Sequence, residues 1–150
     1  MIFNIYAAEG VNYSDGLPRC EIEINGYLEN CPLITDLWSL DQYSYQWKNA
    51  LSHLYARKVS KCMLVTDVNK MHINTALTFW ALYAAGELIY IREIFIKNPG
   101  VEKVLDPFSI EEYIYAREDD EDEDIFDSCG TKLSVSEWTI KFEDIAHLVQ

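Results

Sequence analysis

The first third of the chain alternates apolar with polar residues, a pattern typical of half-buried strands. Residues 2–8 (IFNIYAA) suit a short first strand, and residues 20–24 (CEIEI) place two isoleucines on one face and two glutamates on the other. Asn25-Gly26 is then a strong signal for a two-residue hairpin turn. Residues 27–33 are therefore predicted to return antiparallel to residues 20–24.

A long helix is predicted where the apolar period changes to three or four residues. Ser39 and Gln42 have the spacing of a capping box, in which each side chain bonds the backbone N–H of the other residue. The helix should end near residues 57–58, an Arg-Lys pair that complements the negative end of the helix dipole. Its predicted apolar face comprises Leu40, Tyr43, Trp47, Leu51 and Leu54. Aromatic residues at such spacing are more typical of a core than of a contact surface. We therefore expect Trp38, Tyr43 and Trp47 to be buried.

The middle of the chain contains three β-rich runs. Residues 61–68 are predicted as a strand and residues 68–72 as a loop. Residues 74–85 and 87–97 are predicted to pair antiparallel across a turn at Gly86. Both faces of this hairpin are largely apolar, so we expect it to lie centrally in a sheet with helices over at least one face.

The remaining segments complete the predicted fold. A helix is expected over residues 107–117, a last strand over 133–139 and a short helix over 140–149. The order of elements predicts an α+β fold, with a central antiparallel sheet of about five to six strands and helices packed on it. At 150 residues, we expect residues 1–150 to form a single domain.

The negative charge is concentrated in one segment. The chain has a formal net charge of −13 from 25 acids and 12 bases. Eight of the acids form a group that we call the acidic run, and without it 17 acids would face 12 bases. The acidic run consists of Glu118, Asp119, Asp120, Glu121, Asp122, Glu123, Asp124 and Asp127. It is either a solvated loop without a partner or one side of a binding surface whose other side is basic.

This charge distribution constrains the partners. Nucleic-acid binding rests on clustered Lys and Arg, and the sequence contains no such cluster. The negative net charge disfavours binding to anionic membranes and favours a basic protein partner. The N-terminus lacks a basic region followed by a long apolar core, and no stretch approaches the roughly 20 apolar residues of a membrane span. We therefore expect a cytoplasmic protein.

The acidic run does not have the pattern of a calcium loop. Reading frames that start at Asp120 or Asp122 lack both the glycine at position 6 and the glutamate at position 12 of an EF-hand. The three histidines have none of the spacings of a zinc site, and they are His53, His72 and His147. The sequence therefore predicts no metal and no cofactor.

Catalytic chemistry has little support in the sequence. A set of Cys62, His72 and Asp67 can be assembled, but no nucleophile elbow or family signature surrounds it. No glycine-rich phosphate loop occurs. The four cysteines contain no Cys-x-x-Cys pair and are interpreted as reduced, mostly buried thiols: Cys20, Cys31, Cys62 and Cys129. We expect a protein that is not an enzyme.

Three segments together resemble a known family. They are residues 36–54 (DLWSLDQYSYQWKNALSHL), residues 79–93 (FWALYAAGELIYIRE) and residues 133–138 (LSVSEW). In order and spacing the chain resembles bacterial contact-dependent growth inhibition immunity proteins, of the type paired with ribosomal-RNA-cleaving toxins. The residues that carry this resemblance are Trp38, Asp41, Tyr43, Trp47, Phe79, Trp80, Leu82, Tyr83, Gly86, Glu87, Ser136, Glu137 and Trp138.

The resemblance implies a non-enzymatic protein that binds a cognate nuclease toxin domain in the cytoplasm and occludes its active site. Nuclease clefts must hold phosphates and are usually basic, so the acidic run is predicted to contact such a cleft. The run itself has no counterpart in the family pattern. A different segment at this position is expected among the members of the family if each immunity protein is fitted to its own toxin.

Two alternatives remain open from the residues. An acidic mimic of nucleic acid that inhibits another nuclease shares the same charge logic. It would normally spread negative charge over a whole face, whereas the balance outside the acidic run is only −5. The second alternative is a small metal-binding regulatory protein, which bound stoichiometric metal would reveal.

Overall fold

The computed structural model describes residues 3–9, 16–71, 74–97 and 137–149. These residues form seven strands, one α-helix and a C-terminal 3₁₀ helix. The elements are β1 (Phe3–Ala8), β2 (Arg19–Ile24), β3 (Tyr27–Pro32), α1 (Leu40–Tyr55), β4 (Lys61–Met71), β5 (Asn74–Ala85), β6 (Leu88–Lys97), β7 (Glu137–Lys141) and the 3₁₀ helix (Phe142–Leu148).

All strand pairs in the described part of the chain are antiparallel, which confirms the α+β class. The strands form two sheets, one ordered β1-β2-β3 and the other β4-β5-β6-β7. The predicted hairpin of β5 and β6 lies centrally in the second sheet. The single sheet of about five to six strands is replaced by two smaller sheets, because alternation identifies the faces of a strand but not its neighbours.

Some of the predicted boundaries differ from those in the structure. β4 continues to Met71, where the sequence indicated a loop from residue 68. The last strand is β7, which extends to Lys141 and so ends later than predicted. The predicted short C-terminal helix is present as a 3₁₀ helix of seven residues, and it begins at Phe142, two residues later than predicted. The helix predicted over residues 107–117 lies outside the described residues.

α1 begins with the predicted capping box. The Ser39 hydroxyl accepts from the Gln42 N–H at 3.2 Å, and the Gln42 side chain accepts from the Ser39 N–H at 2.8 Å. The helix ends at Tyr55, and Arg57 beyond it donates to the Gly86 carbonyl at 3.1 Å. On the predicted apolar face Leu40 is partly buried, and the buried members are Tyr43, Trp47, Leu51 and Leu54.

The aromatic residues at the start of α1 are core, as predicted. Trp38 and Tyr43 are fully buried and Trp47 is 3% exposed. The three rings pack in sequence, with centroids 5.2 Å apart for the first pair and 6.3 Å apart for the second. They therefore anchor α1 to the interior and do not form a contact stripe.

The two sheets meet where β3 approaches β7. Tyr27 and Trp138 have ring centroids 5.0 Å apart, and Trp138 also packs on Trp80 at 5.4 Å. The Asn25 side chain donates to the Thr139 carbonyl at 3.1 Å, which satisfies one acceptor on β7. One cluster of buried side chains draws on both sheets and on α1. Among the described residues, no helix is long and apolar enough to cross a membrane.

Candidate functional site

A cleft of about 300 Å³ lies between β3 of the first sheet and the face of the second sheet. We call it the inter-sheet cleft. Its lining combines three carboxylates with hydroxyl, thiol and apolar groups: Glu29, Cys31, Pro32, Ile34, Thr66, Asp67, Thr78, Trp80 and Glu93. It is a candidate binding site because concave surfaces with a few convergent polar groups are where proteins usually hold partners or ligands.

Ordinary strand alternation supplies two of the carboxylates. Glu29 and Cys31 are two residues apart on β3, so their side chains share a face. On the opposite side of the cleft, Glu93 of β6 lies directly across from Trp80 of β5. Directly opposed residues in an antiparallel pair project to the same face, so Glu93 and Trp80 line the cleft together.

The third carboxylate reaches the cleft through a β-bulge. Val65 pairs with Phe79 and Asp67 pairs with Thr78, so Thr66 is an extra residue without an opposite partner. In a regular strand without the bulge, Asp67 would share a face with Val65, which is fully buried. The bulge rotates Asp67 to the face of Thr78 and thereby into the cleft.

Burial changes the acidity of the cleft. It raises the pKa of Asp67 to about 6. The pKa of Glu93 rises to about 7, first because of burial and then because of the charge of Glu29 and a hydrogen bond to the Glu29 side chain. The two carboxylates therefore hold their protons at a higher pH than exposed acids do, since leaving water penalises the charged form.

Two carboxylate oxygens in the cleft are buried without a hydrogen-bond donor. They are Oε2 of Glu29 and Oδ1 of Asp67. Thr66, in contrast, is 2% exposed and donates to the Thr78 carbonyl at 3.4 Å. A buried acceptor without a donor is costly, so a cationic donor entering the cleft would be stabilised by both charge and hydrogen bonding.

The described residues do not bring together the catalytic set considered from the sequence. Cys62 and Asp67 both lie on β4, and five residues of extended strand separate them by roughly 16 Å. His72 lies outside the described residues. Within the described ranges no group of three or more His, Cys, Asp or Glu residues is arranged to hold a metal ion.

The residues predicted to contact a partner lie outside the described residues. These are Glu118, Asp119, Asp120, Glu121, Asp122, Glu123, Asp124 and Asp127. The structure therefore places none of them relative to the inter-sheet cleft.

Sequence reasoning named Asp67 only within a catalytic set that had little support, and it did not name Glu29 or Glu93 as site residues. Asp67 carried a signal, because an acid within the apolar run of β4 is unusual at a position that should be buried. Glu29 and Glu93 carried none, since each occupies an alternating strand position that suits a solvated acid equally well. Their convergence depends on how the two sheets pack, which alternation does not encode.

The chain is similar to known proteins in sequence and in fold. The family model described as the CdiI N-terminal domain matches residues 33–148. No match was found among curated proteins. Among solved structures, the chain is similar to one described as the CdiA-CT/CdiI toxin and immunity complex from Enterobacter cloacae. The identity is 21% and the TM-score 0.68, with 99% of this chain and 96% of that chain covered. At this identity the likeness shows the fold alone.

Proposed function

The chain belongs to the CdiI N-terminal domain family, and from this premise we propose that it is an immunity protein that binds and neutralises a cognate toxin. The observation that carries the proposal is the family match over residues 33–148, which includes α1, the whole second sheet and the 3₁₀ helix. An immunity protein acts by binding, so the proposed role is that of an inhibitor and not of an enzyme.

We further propose that the toxin is a nuclease whose active site the protein occludes. The sequence resemblance implies the type that cleaves ribosomal RNA. Such an enzyme must hold phosphates with Lys and Arg, so its cleft is basic. A chain with a net charge of −13 is electrostatically complementary to that cleft, and the complementarity speeds encounter. The acidic run, residues 118–124 with Asp127, is the proposed contact.

The inter-sheet cleft is a second proposed contact. Oε2 of Glu29 and Oδ1 of Asp67 are buried acceptors without donors. A Lys or Arg side chain of the toxin would supply those donors and neutralise the paired acids Glu29 and Glu93. This contact would orient the toxin, whereas the acidic run would supply the longer-range attraction.

Calorimetry tests the proposed function directly. The protein is titrated with the C-terminal fragment of the polypeptide encoded immediately upstream, at low and at moderate salt. We expect a dissociation constant of roughly nanomolar or tighter, about −12 kcal/mol, that weakens as salt is added. Absence of binding at micromolar concentration would remove the immunity assignment for that pair.

Neutralising part of the acidic run tests its role. The variant carries Asp119→Asn, Asp120→Asn, Asp122→Asn and Asp124→Asn. We expect toxin binding to weaken about tenfold or more and to depend less on salt, because opposite charges have been removed from the interface. An unchanged circular dichroism spectrum would show that the fold is retained.

A matched control separates the effect of the acidic run on affinity from the effect of net charge. It carries Glu9→Gln, Asp36→Asn, Asp41→Asn and Glu143→Gln, four exposed acids of the described part of the chain. Its net charge equals that of the first variant, so equal weakening in both would assign the effect to overall charge. Unchanged affinity in the first variant would place the interface away from the acidic run.

A further inference from the structure

Two cysteines face each other across the hairpin of the first sheet. Cys20 of β2 is the direct opposite of Cys31 of β3. Directly opposed residues in antiparallel strands have Cα atoms about 4.5 or 5.5 Å apart, depending on the kind of pair. Both separations fall within the range of about 4.4–6.8 Å that a disulfide spans. Both residues are free thiols, and the Cys31 thiol lies 4.0 Å from the Cys20 carbonyl that it donates to.

We propose that Cys20 and Cys31 form a modification site, a dithiol that hydrogen peroxide converts to a reversible cross-strand disulfide. This assignment is independent of toxin binding. It rests on the register of β2 with β3 and on the unequal exposure of the two thiols. Cys31 is partly exposed and lines the inter-sheet cleft, whereas Cys20 is fully buried behind it.

The unequal environments of the two thiols indicate which one reacts first with peroxide. Peroxide reaches Cys31 through the cleft, so Cys31 is the attacking thiol and Cys20 the resolving one. A hydrogen bond from the Cys20 thiol lowers the pKa of Cys31, and the same bond together with burial raises the pKa of Cys20. Negative charge on Glu29, Glu93 and Asp67 opposes the Cys31 thiolate, as does burial. The hydrogen bond has the larger effect, so the pKa of Cys31 is lowered overall.

The chemistry balances with peroxide as the oxidant. The Cys31 thiolate attacks one peroxide oxygen, so an S–O bond forms, the O–O bond breaks and hydroxide leaves. The Cys20 sulfur then attacks the Cys31 sulfenic acid, so the S–S bond forms and the S–O bond breaks. The Cys20 proton leaves with the departing oxygen as water. In total two thiols and one peroxide give one disulfide and two waters, and a dithiol reductant reverses the oxidation.

The arrangement of tryptic sites makes the product easy to recognise. Cleavage after Arg19 and Lys48 places Cys20 and Cys31 in the same peptide, residues 20–48. Cys62 and Cys129 fall in two other peptides. A Cys20–Cys31 disulfide is therefore an internal bond within one peptide. Any other pairing links two peptides.

The test treats the folded protein with increasing peroxide and quenches it with catalase. The protein is then denatured in the presence of iodoacetamide, which alkylates the free thiols. It is digested with trypsin and analysed by mass spectrometry. At a dose that leaves the Cys62 peptide fully alkylated, we expect peptide 20–48 to lose two hydrogen atoms and to take up no iodoacetamide. Reduction before alkylation should restore the labelling of both cysteines. Protein oxidised while unfolded in urea should give mixed pairings, because the fold no longer aligns the thiols.

Several results would overturn the proposal. They are continued alkylation of both thiols, a sulfinic acid at Cys31 without a disulfide, and a link from either thiol to another peptide. The Cys31→Ser variant should leave Cys20 fully alkylatable after the same dose, whereas Cys62→Ser should still form the internal bond. The wild-type measurement decides the question without either variant, so a folding defect in one of them would not obscure the result.

Discussion

Asp67 occupies the inter-sheet cleft because the β-bulge at Thr66 places it on the face opposite to that of Val65. Burial favours its neutral form and raises its pKa to about 6 from the ordinary value of 3.8. Between these two values the folded chain binds a proton that the unfolded chain has lost. The contribution of Asp67 to folding stability is therefore greatest at low pH, and it declines as the pH rises through this window. A carboxylate retained at such a cost is compatible with a role in binding.

The Asp67→Asn substitution tests this balance. Above a pH of about 6 the variant should be more stable than wild type by about 1 kcal/mol, a value discounted because the group is only partly buried. The advantage should vanish below a pH of about 3, where aspartate is protonated in both states. Urea unfolding across this range measures the difference. Asp36→Asn is the control, because it makes the same chemical change at an exposed position.

The Asp67→Asn variant also tests the proposed function. Removing the Asp67 charge should weaken toxin binding while stabilising the free protein. A pH-independent stability difference between Asp67→Asn and wild type would contradict the burial argument. Retained affinity would instead remove the inter-sheet cleft from the interface and leave the burial argument intact.

At the scale of elements, α1 closes the free edge of β4. The Gln46 side chain donates to the Met63 carbonyl at 2.8 Å and accepts from the Val65 N–H at 2.9 Å. The Trp47 indole donates to the Val65 carbonyl at 2.6 Å, and the Tyr43 hydroxyl accepts from the β4 backbone at 3.1 Å. These side chains replace the missing neighbouring strand, so the edge is not open to another chain.

Gln46→Met removes both bonds with little change in volume or helix propensity. Gln46 is 2% exposed, so the Met63 carbonyl and the Val65 N–H of β4 would each lose a buried hydrogen bond. We expect the free energy of unfolding to fall by about 2–4 kcal/mol, measured with urea. Lys48→Met on the same helix is the matched control. Lys48 is exposed and its loss should change stability by about 0.5 kcal/mol or less. Equal effects of the two substitutions would exclude edge closure as the role of Gln46.

Local elements followed from local patterns in the sequence. The alternation in residues 20–24, the Asn25-Gly26 turn and the capping box at Ser39 each predict structure within a few residues, and each was confirmed. The β-bulge at Thr66 was not predictable, because one inserted residue in an apolar run leaves no pattern of its own. The division into two sheets and the cleft between them depend on contacts between distant segments. Periodicity carries no information about such contacts.

At the scale of the whole molecule, the open question is whether the two sheets unfold together. They come from separate parts of the sequence, so each could in principle behave as its own unit. Their contacts argue otherwise. Trp138 packs against both Tyr27 and Trp80, and a single cluster of buried side chains includes Ile22 of the first sheet and Leu82 of the second. Neither sheet can be exposed without breaking this shared core.

We therefore predict that residues 1–150 behave as one cooperative domain. Hydrogen exchange measured at increasing urea should give β2 and β5 amides the same limiting free energy of opening, because the slowest amides of both sheets exchange through global unfolding. That value should match the free energy from circular dichroism. A lower limit for β2 alone would show that the first sheet opens independently. Glu29 and Cys31 of β3 would then leave the inter-sheet cleft without loss of the second sheet, and a toxin bound there would be held by a surface that forms only part of the time.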